Sequence, residues 1–90
     1  GGAFVTSNRE SGDGRYDIQL KPTKKGLPGI LIELKAEKNC SDEKLKKLSE
    51  TALQQINDKK YETELATAGV RTIYKYGVAF SGKKVEVAVG

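Results

Sequence analysis

The hydrophobic period of this chain changes twice, and those changes restrict its fold more than any overall property does. RYDIQLK (residues 15–21) alternates, with Tyr16, Ile18 and Leu20 on one side and Arg15, Asp17, Gln19 and Lys21 on the other, as strand side chains do. GILIELKAE (29–37) alternates again, setting Ile30, Ile32, Leu34 and Ala36 against Leu31, Glu33, Lys35 and Glu37. Upstream, AFVTSNRE runs into SGDG, a glycine-spaced turn that closes a hairpin, and PTKKGLP holds both prolines and reads as a loop. Three strands joined by short polar loops imply an antiparallel meander. The period then lengthens: Leu45, Leu48, Ala52 and Ile56 form one apolar stripe of an amphipathic helix. Ser41 suits its N-cap, and Asp42 and Glu43 suit the positive end of its dipole, which predicts a helix over about residues 42–58. KKYETELATAG either continues this helix or forms a second short one before a Gly69 C-cap. RTIYKYGVAF and KVEVAV, parted by Ser81-Gly82, return to strand. The order β-β-β-α-β-β describes an α+β domain whose helix covers one sheet face and leaves the polar faces of the second and third strands partly uncovered. Function is expected on that uncovered face.

Ninety residues form one domain, 1–90, with room for a modest core. The one cysteine, Cys40, cannot form an internal disulfide, which suits a reducing compartment, and its place before the helix reads as a small buried or capping-region residue. No apolar run approaches the ~18 residues of a membrane span, and the N-terminus lacks a signal-peptide layout. No membrane contact and a cytoplasmic location are therefore expected. Sixteen Lys and Arg against twelve Asp and Glu give a net charge of +4, which favours an anionic partner such as nucleic acid. The absence of histidine excludes His-based zinc sites, Ser-His and Cys-His nucleophiles and imidazole bases. Catalysis, if present, must come from carboxylates, lysines, tyrosines, amides or a hard cation.

Asp17 and Glu33 share a face only if odd-numbered residues pair with odd-numbered ones, because a slip of one residue flips every side chain. Pairing residue 21 with 29 closes a loop of natural length and sets Asp17 opposite Glu33. Opposed residues have Cβ atoms about 4.5–5.5 Å apart, so the two carboxylates can hold one cation between them and repel each other without it. Lys35 lies two residues on along the same face, where its ammonium can reach an attacking water or the anion under attack. Oxygen-only ligands favour Mg²⁺ or Mn²⁺ over zinc, and such an ion promotes phosphodiester hydrolysis. Against this stands an ordinary solvated strand face, for which Glu-x-Lys carries no chemistry.

GRYDI, ILIELKAEKN, ALQQINDKKY on the helix and YGVAFSGKKVEV, in that order, resemble the PD-(D/E)xK nuclease superfamily, and in particular a branch found C-terminal to AAA-ATPase-like domains of bacterial proteins. The likeness runs from about Ser7 to Val89. It implies a restriction-endonuclease-like core in which Asp17 and Glu33 bind Mg²⁺, Leu34 offers its backbone carbonyl, Lys35 positions or activates the water, and Gln55 faces the site from the helix. Gln55 borders the buried stripe and can look along the sheet, whereas Gln54 is less favourably placed; either glutamine is also an unremarkable helix-surface residue. The likeness departs from the superfamily pattern in two ways. Tyr16 stands where a proline usually precedes the Asp. The core normally opens with a helix, whereas this chain opens on a strand, so the chain is a piece of a longer protein, or a neighbouring subunit covers the gap, or the likeness is of fold alone. The uncovered edge also implies a homodimer.

Glu10 becomes a third carboxylate of the site if it pairs with Arg15, and is otherwise a solvated strand end. Arg9, Arg15, Lys38, Lys59 and Lys60 are either phosphate contacts or solubilising charges, and Tyr61 either stacks on a base or fills the core. The function expected is a metal-dependent phosphodiesterase acting on nucleic acid, DNA rather than RNA. The alternative is a non-catalytic nucleic-acid-binding or scaffolding domain on the same fold.

Overall fold

A computed structural model describes the backbone of residues 3–10, 15–58 and 61–90, and the side chains of residues 18–57 and 62–90. The chain runs β1 (Ala3–Glu10), β2 (Arg15–Pro22), β3 (Gly29–Ala36), α1 (Asp42–Asp58), α2 (Tyr61–Thr67), β4 (Ile73–Ser81) and β5 (Lys84–Val89). The strands make one five-stranded sheet in chain order, antiparallel throughout except where β3 and β4 run parallel. That parallel pair needs a crossover, and α1 with α2 supply it. The SGDG turn lies outside the described residues.

Local chemistry accounts for the element ends. Ser41 Oγ accepts the amide of Lys44, capping α1 behind the carboxylates Asp42 and Glu43. After α2 the chain turns at Gly69, whose φ of 90° suits only glycine, and the amides of Gly69 and Val70 bond back to Ala66 and Leu65. Two residues, Gly82 and Lys83, close the β4–β5 hairpin between the paired Ser81 and Lys84. Cys40 is buried and free, and its amide donates to Ser81 Oγ at 2.9 Å, tying the start of the crossover to the end of β4.

The helix covers the other face from the one the alternation suggests. Ile30, Ile32 and Leu34 are only half-buried, whereas Leu31 and Glu33 are fully buried. One apolar cluster joins Leu31 to Ile56 of α1 and Leu65 of α2, and a second joins Ala79 to Cys40 and Leu45. At the centre Gly77 lets α1 lie directly on β4: a Cβ there would collide with the Ser49 carbonyl oxygen and the Leu53 amide nitrogen. The expectation of an uncovered polar face on β3 is thus corrected. The hand of a β–helix–β crossover selects the covered face, and counting apolar residues does not. The apolar face is left open and bears exposed Tyr74, Phe80, Val85, Val87 and Val89.

Candidate metal centre under helix α1

The β2–β3 register sets Asp17 opposite Glu33, and Glu33 in turn pairs with Gly77 of β4. Because Gly77 is the point at which α1 touches the sheet, Glu33 lies beneath the helix with 0% of its surface exposed. The β1–β2 register adds Asn8 to the same cross-strand row, opposite Asp17, and sets Glu10 opposite Arg15, which pairs with Lys35 in the adjoining row. The side chains of Glu10, Arg9, Arg15, Asp17 and Tyr61 lie outside the described residues, as do Lys59 and Lys60 altogether. Asn8, whose side chain lies outside the described residues, is a position that sequence reasoning did not single out. Its signal was the pairing of Glu10 with Arg15, which carries Asn8 to Asp17 two steps further along an antiparallel ladder.

Lys35 is half-buried on the Glu33 face, and Leu34 between them turns its half-buried side chain to the open face. Glu33 and Lys35 each take part in further polar interactions. Lys38 is exposed at the start of the crossover. On α1, Gln54 is exposed, while Gln55 is half-buried with its Oε1 inaccessible. Leu53 marks the β5 flank of the helix, since a Cβ on Gly90 would sit 3.0 Å from its Cδ1. Gln55 lies two residues on, roughly 200° around the helix axis, and so occupies the flank nearer β2. The helix packs against β3, β4 and β5. The Asp17–Glu33 row therefore crosses the margin of the helix's footprint, with Glu33 inside it and β2 beyond.

Two buried side-chain oxygens, Glu33 Oε2 and Gln55 Oε1, accept no hydrogen bond. A buried acceptor left without a donor costs about 1–3 kcal/mol, so such atoms commonly meet a water or a cation. Among the described residues no three His, Cys, Asp or Glu side chains come together, and the oxygens available to a cation at the Asp17–Glu33 row are carboxylates, with the Gln55 amide on the flank of α1 nearer β2. The donor set is all oxygen, with a carboxylate and an amide carbonyl, and fits a hard divalent ion.

A second polar cluster stands at the β3–α1 junction. Glu37 accepts from Lys44 at 3.2 Å and lies 3.5 Å from Cys40 Sγ, while Lys84 pairs with Asp42 at 2.9 Å. The Lys44 hydrogen bond, then that of the Cys40 thiol, hold the Glu37 carboxyl below its ordinary value of 4.5. These groups pair with one another and hold the junction.

No helix is long and apolar enough to cross a membrane. Comparison with curated proteins and with solved structures finds no match. Comparison with family models finds one, described as the PD-(D/E)XK nuclease superfamily, over residues 1–89.

Proposed function

Because the chain belongs to the PD-(D/E)XK nuclease superfamily, we propose that it is a metal-dependent nuclease hydrolysing phosphodiester bonds, in DNA rather than RNA, with Asp17, Glu33, Lys35 and Gln55 as its working residues. The observation that carries this reading is the β2–β3 register, which sets Asp17 opposite a fully buried Glu33 with Lys35 two residues on along the same strand face.

Asp17 and Glu33 would hold Mg²⁺ or Mn²⁺ from adjacent strands, with the Leu34 carbonyl and the Gln55 amide oxygen as further donors and Glu10 as an outer carboxylate. The ion's contribution when bound is to polarise a phosphoryl oxygen and to make water acidic enough to attack. Lys35, on the face and strand of Glu33, orients the attacking water and balances the negative charge that grows on the phosphate. α1 excludes bulk water above Glu33, which strengthens each of these interactions. In the parent protein the reading pairs this domain with an AAA-ATPase-like domain, in the cytoplasm.

The same reading takes the protein as a homodimer. The open sheet face is uncharged across Ile18, Ile32, Tyr76 and Val89, so a second copy can cover it without burying a charge. Four strands at 4.8 Å spacing and about seven residues of 3.3 Å give roughly 450 Å² projected per copy. The roughly 900 Å² of the two copies together lies below the ~1,200–2,000 Å² total of a stable interface, so the dimer should be dynamic.

Lys35→Ala separates nuclease from binder. Single-turnover cleavage of labelled DNA and RNA with Mn²⁺ should fall by a factor of 100 or more, while Mn²⁺ affinity stays within about threefold, because the lysine acts on the transition state. Equal loss of binding and cleavage would make Lys35 a phosphate contact. A wild-type protein that binds but never cuts would favour the non-catalytic alternative.

A further inference from the structure

The end of the sheet away from the β3–α1 junction is a basic surface that the metal centre does not account for. The β2–β3 loop brings Lys25, Gly26 and Leu27 beside Gly69, Arg71 and Thr72 of the α2–β4 loop around a depression of about 390 Å³, and Lys24 lines a second one of about 310 Å³ with Gly69 and Val70. Gly26 and Gly69, with φ of 89° and 90°, turn the two loops tightly, and a Cβ on either would meet nothing. Lys24, Lys25 and Arg71 are exposed, and so is Lys21 at the end of β2. Neither residues 18–32 nor residues 65–85 contain an Asp or Glu, so no carboxylate from these segments neutralises the cluster. The contrast lies nearby: Lys75, on the same sheet face, is held by Glu62 at 3.1 Å and by Asn57 at 3.2 Å.

Lys21 stands four residues from Asp17 on β2, and alternation puts it on the same face as the Asp17–Glu33 row. Four residues of strand span about 13 Å. Phosphates along one strand of a duplex advance about 3.4 Å each, so Lys21 falls about four phosphates from the metal centre, with the loop cations beyond it.

We propose that Lys21, Lys24, Lys25 and Arg71 form a phosphate-docking surface for the nucleic acid whose scissile phosphate is presented to Asp17, Glu33 and Lys35, so that one duplex runs along β2 and touches the protein at two points. The proposal rests on the nuclease reading for what happens at the far point. The docking surface itself stands on charge and placement, and cations contacting phosphates contribute affinity without reading sequence.

The test is fluorescence anisotropy with a 20-base-pair DNA duplex in EDTA, where no cleavage intervenes. Lys25→Ala/Arg71→Ala is compared with Lys46→Ala/Lys83→Ala, which removes the same charge from exposed positions on α1 and the β4–β5 turn. The docking double variant should weaken binding at least tenfold at 100 mM salt and lower the slope of log affinity against log salt by about 2, while the control shifts affinity less than threefold. Equal weakening in both doubles would overturn the proposal, because net charge and not place would then govern binding. So would duplex affinity left unchanged by Lys25→Ala/Arg71→Ala while binding to phosphatidylserine vesicles is lost, which would assign the surface to a membrane. A protein that shows the expected loss yet cuts nothing leaves the surface in place and fails only the nuclease reading; one that cuts, with duplex binding indifferent to the loop cations, does the reverse.

Discussion

Glu33 sits fully buried between a sheet and a helix, where it takes part in polar interactions, and a cation shared with the Asp17 position would add to them. A ligand that binds only the folded state stabilises by about 2.7 kcal/mol at a hundredfold excess over Kd, which for a domain of this size raises Tm by roughly 15 °C. Mn²⁺ should produce a shift of that order in wild type. Glu33→Gln keeps the shape and removes one ligand charge, so the shift should fall below a third of that value, as read by scanning calorimetry. Equal shifts in the two proteins would put the metal elsewhere. Asp17 and Glu33 were legible as a pair on the condition that odd-numbered residues pair with odd-numbered ones, which a loop of natural length allows, and the register observed meets that condition. The burial of Glu33 was not legible, because alternation says which residues share a face and says nothing of what covers that face.

At the scale of elements, the α1–β4 contact controls the centre. Gly77→Ala adds one methyl group against the backbone of Ser49 and Leu53, and α1 has to lift to admit it. Overpacking of this kind costs about 1–3 kcal/mol, and more where the neighbour is backbone. Urea denaturation should show that loss, and the Mn²⁺ shift should shrink with it because α1 carries Gln55. A variant as stable as wild type would mean that the helix does not press on Gly77. The junction before α1 has its own pH dependence. The folded-state value of Glu37 is depressed, so its contribution to stability is complete above its unfolded value and is lost as pH falls through the lower folded one. Glu37→Gln should therefore lower the urea midpoint slightly near neutrality, where the contribution is complete, and flatten its fall below about pH 4.5. The helix itself was readable from its stripe and caps, whereas the apolar spacing of Tyr61 and Leu65 suits α2 either as a continuation of α1 or as a second helix.

For the whole molecule, the open apolar face is the largest departure from a self-contained domain. Val87 on the edge strand β5 is half-exposed on this face, across from Val78. Multi-angle light scattering should report a mass that rises toward two copies with concentration, and Val87→Lys should hold the protein as a monomer without loss of helix content. A wild-type monomer at every concentration would count against the homodimer.

What the amino-acid sequence determined by itself is local and periodic. Alternation placed the strands, the three-four-four stripe and the Ser41 cap placed α1, and loop length allowed the register that brings Asp17 to Glu33. Each depends on residues close in the chain or on a ladder whose geometry repeats every two residues. Which sheet face α1 covers, whether Glu33 is wet or dry, and which lysines lack a carboxylate were decided only in three dimensions. The hand of the crossover, the clearance over Gly77 and the meeting of the 22–28 and 68–72 loops join residues about 24 to 50 positions apart. No window of sequence contains both sides of those contacts.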